Sequence, residues 1–113
     1  MIRGEIWWVD FGTPLGSEPG FRRPSIIVQS DAFNQTSMHT TIVIPLSTNI
    51  RLAEFPGNMK LSKVETKLPK DSVAVTPQIT VIDNIRLLEY VSTLPEQIMQ
   101  ECAENIKLLL ALD

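Results

Sequence analysis

The sequence has one cysteine, one histidine and no long apolar run. Each scarcity removes a class of protein. Cys102 has no partner for an internal disulfide and cannot hold zinc alone, so a reducing cytosol is the expected setting. His39 is the only imidazole, which excludes catalysis by a histidine pair. It lies in the polar stretch around Ser37 and Thr40 and reads as a surface residue. No Cys, His or carboxylate cluster has zinc-ligand spacing, so no metal and no other cofactor is expected. Phosphate-binding glycine motifs are missing, as is the G-x-S-x-G elbow that would support a serine triad. The longest apolar stretch, Leu108 to Leu112, is far too short to span a membrane. Met1 to Glu5 lead directly into a strand-like run with no signal-peptide core, so a cytoplasmic location is expected.

What is present suffices for a core. With 43% hydrophobic and 20% charged residues over 113 positions, the chain fits one domain spanning 1–113, folded without disulfide staples. The net charge of −3 is unevenly spread. Residues 51–70 hold five cations and two anions, whereas residues 71–113 hold two cations and seven anions. One basic and one acidic face is a possible outcome, although solvated lysines explain the same counts.

Glu5 to Phe11 (EIWWVDF) is aromatic and β-branched and predicts a strand. Gly12, Pro14, Gly16, Pro19 and Gly20 then break regular structure. They leave a loop of about ten residues to Phe21, long enough to suggest function. Ser25 to Gln29 and Thr40 to Ile44 are compact apolar strands, and Pro45 is expected to limit the second. Met59 to Leu61, Asp71 to Val75 and Leu88 to Val91 are further strand candidates. Thr76-Pro77 and Asp83-Asn84 carry turn chemistry. Thr93, Pro95 and Glu96 have the pattern of a capped helix start. Ile98, Cys102, Ile106, Leu109 and Leu110 follow at helical spacing. Short strands followed by one amphipathic helix predict a small, mostly antiparallel β-barrel with a C-terminal α-helix.

The segment Gly16 to Pro24 offers the most chemistry. Arg22 and Arg23 follow the loop, and Pro24 fixes the backbone as a strand begins. A planar guanidinium suits the oxygens of a phosphoryl group in its transition state. If the strands starting at Ser25 and ending at Ile44 pair antiparallel, Arg23 and Ser47 become neighbours, with Thr48 beside them. An exposed arginine pair and a turn serine account for the same residues, and the residues alone lean that way.

Taken together, the motifs resemble MazF/PemK-type toxins of bacterial type II toxin–antitoxin systems. Arg3-Gly4-Glu5-Ile6-Trp7, Gly16-Ser17-Glu18, Gly20 and Arg23-Pro24 resemble the opening of that family. Thr41-Ile42-Val43, Pro45, Ser47, Pro56, Asp71-Ser72-Val73, Gln78-Ile79, Ile82-Asp83 and Arg86-Leu87 follow in the family's order. The resemblance implies an SH3-like antiparallel β-barrel (CcdB/MazF-like) with a C-terminal helix, working as a homodimer. It also implies a metal-independent endoribonuclease acting on single-stranded RNA, often within a short preferred sequence. Attack by the 2′-hydroxyl would leave 2′,3′-cyclic phosphate and 5′-hydroxyl ends. Arg23 matches the catalytic arginine and Ser47 the catalytic hydroxyl, with Thr48 as fallback. Glu18, Phe21, Arg22 and Gln78 would contact RNA. An acidic MazE-like antitoxin is implied as partner, folding onto the groove and displacing the loop, its carboxylates meeting Arg22, Arg23 and Lys60, Lys63, Lys67 and Lys70. Thr80 stands where many relatives carry a cation, and Pro19 and Phe21 replace residues that are often glutamine and glycine. Two alternatives come from other classes. One is a CcdB-like inhibitor of DNA gyrase, disfavoured because no tryptophan lies near Leu110 to Asp113; the other is an inert SH3-like interaction module.

Overall fold

The aromatic run forms β1 (Glu5–Asp10), and the two arginines open β2 (Arg22–Ile27). Then come β3 (Thr40–Ser47), β4 (Met59–Leu61), β5 (Ser72–Ala74), β6 (Thr80–Asp83) and β7 (Leu87–Thr93). One-turn helices α1 (Asp31–Asn34) and α2 (Lys63–Thr66) sit between strands, and α3 (Glu96–Leu110) closes the chain. The computed structural model describes all of residues 1–113.

All pairings are antiparallel, in the order β4-β5-β3-β2-β1-β7, with β6 also on β3. The curled sheet does not close into a ring, so the predicted barrel is an open one. Its curvature follows from register shifts in the β1–β7 pairing beside Trp7 and Trp8, since bulges bend a strand and increase its twist.

The middle of the sheet is buried on both faces, which explains the apolar runs at Ile26–Val28 and Val43–Leu46. Ile6, Ile26, Ile44 and Leu46 face a core shared with Met59, Leu61, Leu94, Met99 and Cys102. Val9, Ile27, Val43 and Ile82 form a second cluster on the opposite face, covered by Met1, Trp7, Phe11 and Leu87. Each fully buried isoleucine or valine contributes about 1.5–3 kcal/mol by leaving water.

Four expectations need correction. β2 begins at Arg22 and ends at Ile27, because Val28 and Gln29 both donate to the Ile42 carbonyl and break the ladder. β3 continues through Pro45 to Ser47. Pro45 O accepts from Val75 N, so its missing N–H points to the edge where β3 changes partner from β6 to β5. No ladder bond is lost there. Thr93 does not cap α3: the N-cap is Pro95, without a side-chain bond, while the Thr93 hydroxyl lies 2.8 Å from that of Tyr90. A capping box does form at Ser62 and Glu65, opening α2. On α3 the buried seam is Met99 and Cys102, flanked by Ile98 and Ile106. Leu109 and Leu110 are exposed.

Candidate active site

The β2–β3 register sets Ser25 against Pro45, Ile26 against Ile44 and Ile27 against Val43. The ladder ends there, and the same register carried two residues further would set Arg23 level with Ser47. β1 holds Arg23 from the other side, where it faces the fully buried Val9. The arginine thus stands at the end of a rigid three-strand platform.

Arg23 is half-buried, and its Nη1 donates to Gln78 Oε1 at 3.1 Å. Gln78 ends the turn Thr76–Gln78, which Thr76 anchors to the main-chain carbonyl of Gly57 and to the Asn58 side chain. Its Nε2 reaches the Ser17 carbonyl in the long loop at 3.4 Å. The amide therefore touches Arg23 and the loop at once. The molecule's only ion pair joins Lys107 and Glu104 at 3.4 Å, so the guanidinium carries a charge that no carboxylate neutralises. Two residues along β2, the Ser25 hydroxyl is buried without a hydrogen-bond partner.

Ser47 Oγ accepts from Asn49 N at 3.1 Å. That bond orients the oxygen and leaves its proton available to an external acceptor. Ser47 and exposed Thr48 border a pocket of about 290 Å³ that also meets Trp8, Pro24 and Leu68. No hydrogen bond joins Arg23 to Ser47: their partners are Gln78 and Asn49.

The loop's neck is tied twice. Phe11 N donates to Phe21 O at 2.8 Å, and Phe21 N donates to Gly12 O at 2.6 Å. Arg86 Nη1 adds a bond to the Asp10 carbonyl at 3.0 Å. Exposed Phe21 adopts φ 58°, a left-handed conformation that costs a side chain about 1–2 kcal/mol. Glu18 is exposed above clefts shared with Gln78 and Thr80. Arg22 points elsewhere, into a cleft with Trp8, Leu88 and Glu89.

The predicted residues therefore fall into two groups. Arg23, Gln78 and the loop bearing Glu18 are joined by hydrogen bonds, and Ser47 with Thr48 lies alongside. Arg22 and Phe21 sit at the periphery. Sequence reasoning singled out neither Trp8 nor Arg86, the brace at the loop's base, as a site residue. Lys60, Lys63, Lys67 and Lys70 are exposed and lack carboxylate partners. No three Cys, His, Asp or Glu side chains converge, and no helix is long and apolar enough to cross a membrane.

Known proteins share this sequence pattern and this fold. The sequence model of the family described as "PemK-like, MazF-like toxin of type II toxin-antitoxin system" matches residues 2–110. Endoribonuclease MazF6 of Mycobacterium tuberculosis is 36% identical over 112 residues, covering 99% of this chain and 98% of its own. Endoribonuclease MazF of Staphylococcus saprophyticus is also 36% identical over 112 residues, with coverages of 99% and 92%. The crystal structure of MazF from Deinococcus radiodurans superposes with a TM-score of 0.82 at 20% identity, covering 99% of this chain and 97% of that one. A mycobacterial endoribonuclease in complex with its cognate antitoxin gives 0.80 at 18% identity, with coverages of 100% and 97%.

Proposed function

The chain belongs to the family of PemK-like, MazF-like toxins of type II toxin–antitoxin systems, and from that membership we propose how it works. It is the toxin of such a system, an endoribonuclease that cuts single-stranded RNA without a metal ion. The observation that carries the mechanism is Arg23, uncompensated by any carboxylate and held by Gln78, on a strand whose pairing with β3 ends two residues short of Arg23 and Ser47.

The substrate supplies its own nucleophile. The 2′-hydroxyl attacks the adjacent phosphorus, the bond to the 5′-oxygen breaks, and the products carry a 2′,3′-cyclic phosphate and a 5′-hydroxyl. Charge accumulates on the non-bridging and leaving oxygens. A planar guanidinium meets two such oxygens at once, and in a partly desolvated site that interaction strengthens as charge develops. Arg23 fills that role and assists the departing oxygen. The Ser47 proton, free of internal commitments, donates to a non-bridging oxygen. Thr48, one residue further and exposed, is the substitute hydroxyl. Glu18 and Phe21 on the loop, together with Arg22 and Gln78, line the path of the RNA strand.

A small acidic antitoxin restrains the enzyme, and its carboxylates meet Arg22, Arg23 and the lysines that lack internal partners. The mycobacterial endoribonuclease of similar fold, solved in complex with its cognate antitoxin, supports such a partner. The active form is a homodimer in the cytoplasm, where its RNA substrates are.

The test is incubation of purified protein with a long single-stranded RNA in excess EDTA. Cleavage should persist, leave cyclic-phosphate ends, and disappear in Arg23→Ala while falling steeply in Ser47→Ala. Cleavage unchanged in both variants would overturn the assignment of these residues.

A further inference from the structure

We propose that Ser25 is a positioning residue for RNA cleavage, its buried hydroxyl accepting a hydrogen bond from the Arg23 guanidinium as that group moves onto the reacting phosphate; this rests on the ribonuclease reading above.

Ser25 is fully buried, and its Oγ has no hydrogen-bond partner. Buried hydroxyls are nearly always paired, because an unpaired one loses its bonds to water without replacement. The adjoining residues explain why none is made here. On one side Ser25 faces Trp7, whose indole N–H already donates to Glu5 Oε1 at 3.1 Å. On the other it faces Pro45, which has no N–H and whose carbonyl accepts from Val75 N at 3.1 Å. Two residues along the strand, Ile27 belongs to the apolar cluster of Val9, Val43 and Ile82. Two residues the other way stands Arg23.

Alternate residues of a strand project from one face at a spacing of about 6.6 Å. Arg23 and Ser25 therefore share the face that carries Val9 and Trp7. The guanidinium is drawn toward the row of Ser25 by its partner, Gln78. That residue sits on a turn hung from Pro45: Gln78 N donates to Val75 O at 2.9 Å, and Val75 N donates to Pro45 O. Pro45 is in turn the residue paired with Ser25. Only Nη1 of Arg23 is engaged by Gln78, so other N–H groups remain for a phosphate and for a hydroxyl.

A hydroxyl suits this task better than a carboxylate. Being neutral, it fixes the plane of the guanidinium without cancelling the charge that meets the developing oxyanion. The oxygen is unpaired at rest and paired once Arg23 has moved, so the bond is gained only along the reaction. An interaction of that kind speeds the chemical step and leaves substrate binding as it was.

Ser25→Ala separates two quantities that a purely structural serine would move together. Its melting temperature should rise by about 4 °C, since a buried unpaired oxygen has been removed. In cleavage of a single-stranded RNA, kcat should fall about tenfold while KM stays unchanged. Ser25→Cys keeps a side chain of similar shape with a weak acceptor, and it should lose kcat likewise.

An unchanged kcat in Ser25→Ala would overturn the role of the hydroxyl. A joint fall of melting temperature and kcat would overturn it too, as would a change confined to KM. Failure of the parent protein to cut long RNA would instead remove the ribonuclease reading, so the two failures are distinguishable.

Discussion

Arg23 Nη1 and Gln78 Oε1 are joined by a 3.1 Å hydrogen bond across 55 residues of sequence. The same amide reaches the loop at Ser17, so Gln78 orients the guanidinium while sensing the loop. A hydrogen bond to a charged group contributes about 1.5–3 kcal/mol. Gln78→Ala is therefore expected to lower kcat by about tenfold or more while the fold survives, and single-turnover cleavage beside a thermal melt checks both halves. An unchanged kcat would show that Arg23 needs no such support.

Phe21 provides a stability prediction. Its left-handed backbone, together with its exposed ring, means that Phe21→Gly removes strain and forfeits little packing. Glycine's larger entropy loss, about 0.5–1 kcal/mol, offsets part of the gain. The net expectation is stabilisation of up to about 1 kcal/mol by urea denaturation, with no gain in Phe21→Ala. Gly20 differs: a Cβ there would overlap the Pro14 ring, so Gly20→Ala should distort the loop and reduce cleavage.

Cys102 is buried beneath α3, and burial pushes its thiol up from 9.0 to about 11, opposed by Arg3 and reinforced by Glu101. The folded protein holds this proton more tightly than the unfolded chain. Its contribution is therefore fully present below pH 9 and falls as pH rises through the window from 9 to 11, by about 3 kcal/mol at most. Urea midpoints measured between pH 8 and 11 should decline in that window and flatten in Cys102→Ala. Labelling by a thiol reagent at neutral pH should be slow until the protein unfolds.

Electrostatics furnishes a fourth test. Arg22 is exposed and has no carboxylate partner. Each phosphate contact on single-stranded RNA contributes about 0.7 to the slope of log affinity against log salt. Arg22→Ala should reduce that slope by about this amount and weaken binding, with kcat at saturating RNA retained.

Much of this arrangement was legible in the sequence, for reasons that particular residues make plain. The apolar runs around Ile26 and Val43 marked two strands and their antiparallel pairing, which runs toward Arg23 on one strand and Ser47 on the other. The loop from Gly12 to Phe21 announced itself through glycine and proline. β6 escaped notice because Thr80 to Asp83 is short and has only Ile82 well buried. Pro45 misled because proline's effect depends on which edge its nitrogen faces, a tertiary fact. Leu109 and Leu110 misled because helical periodicity marks a face without saying how far a neighbour extends along it. The Arg23–Gln78 bond joins residues too distant in sequence for spacing to reveal it. That Trp8 lines a pocket was hidden because an aromatic in a strand looks the same whether it fills a core or borders a cavity.

The double tie at the loop's neck has a mechanical meaning. Phe11, Gly12 and Phe21 clamp the two ends of the loop together, and both ends run directly into β1 and β2. A ligand that pushes on Glu18 therefore cannot peel the loop away residue by residue. It can only tilt the whole flap about its clamp, like a latch on a fixed pin, and the first connection to part is the long one between Gln78 and Ser17.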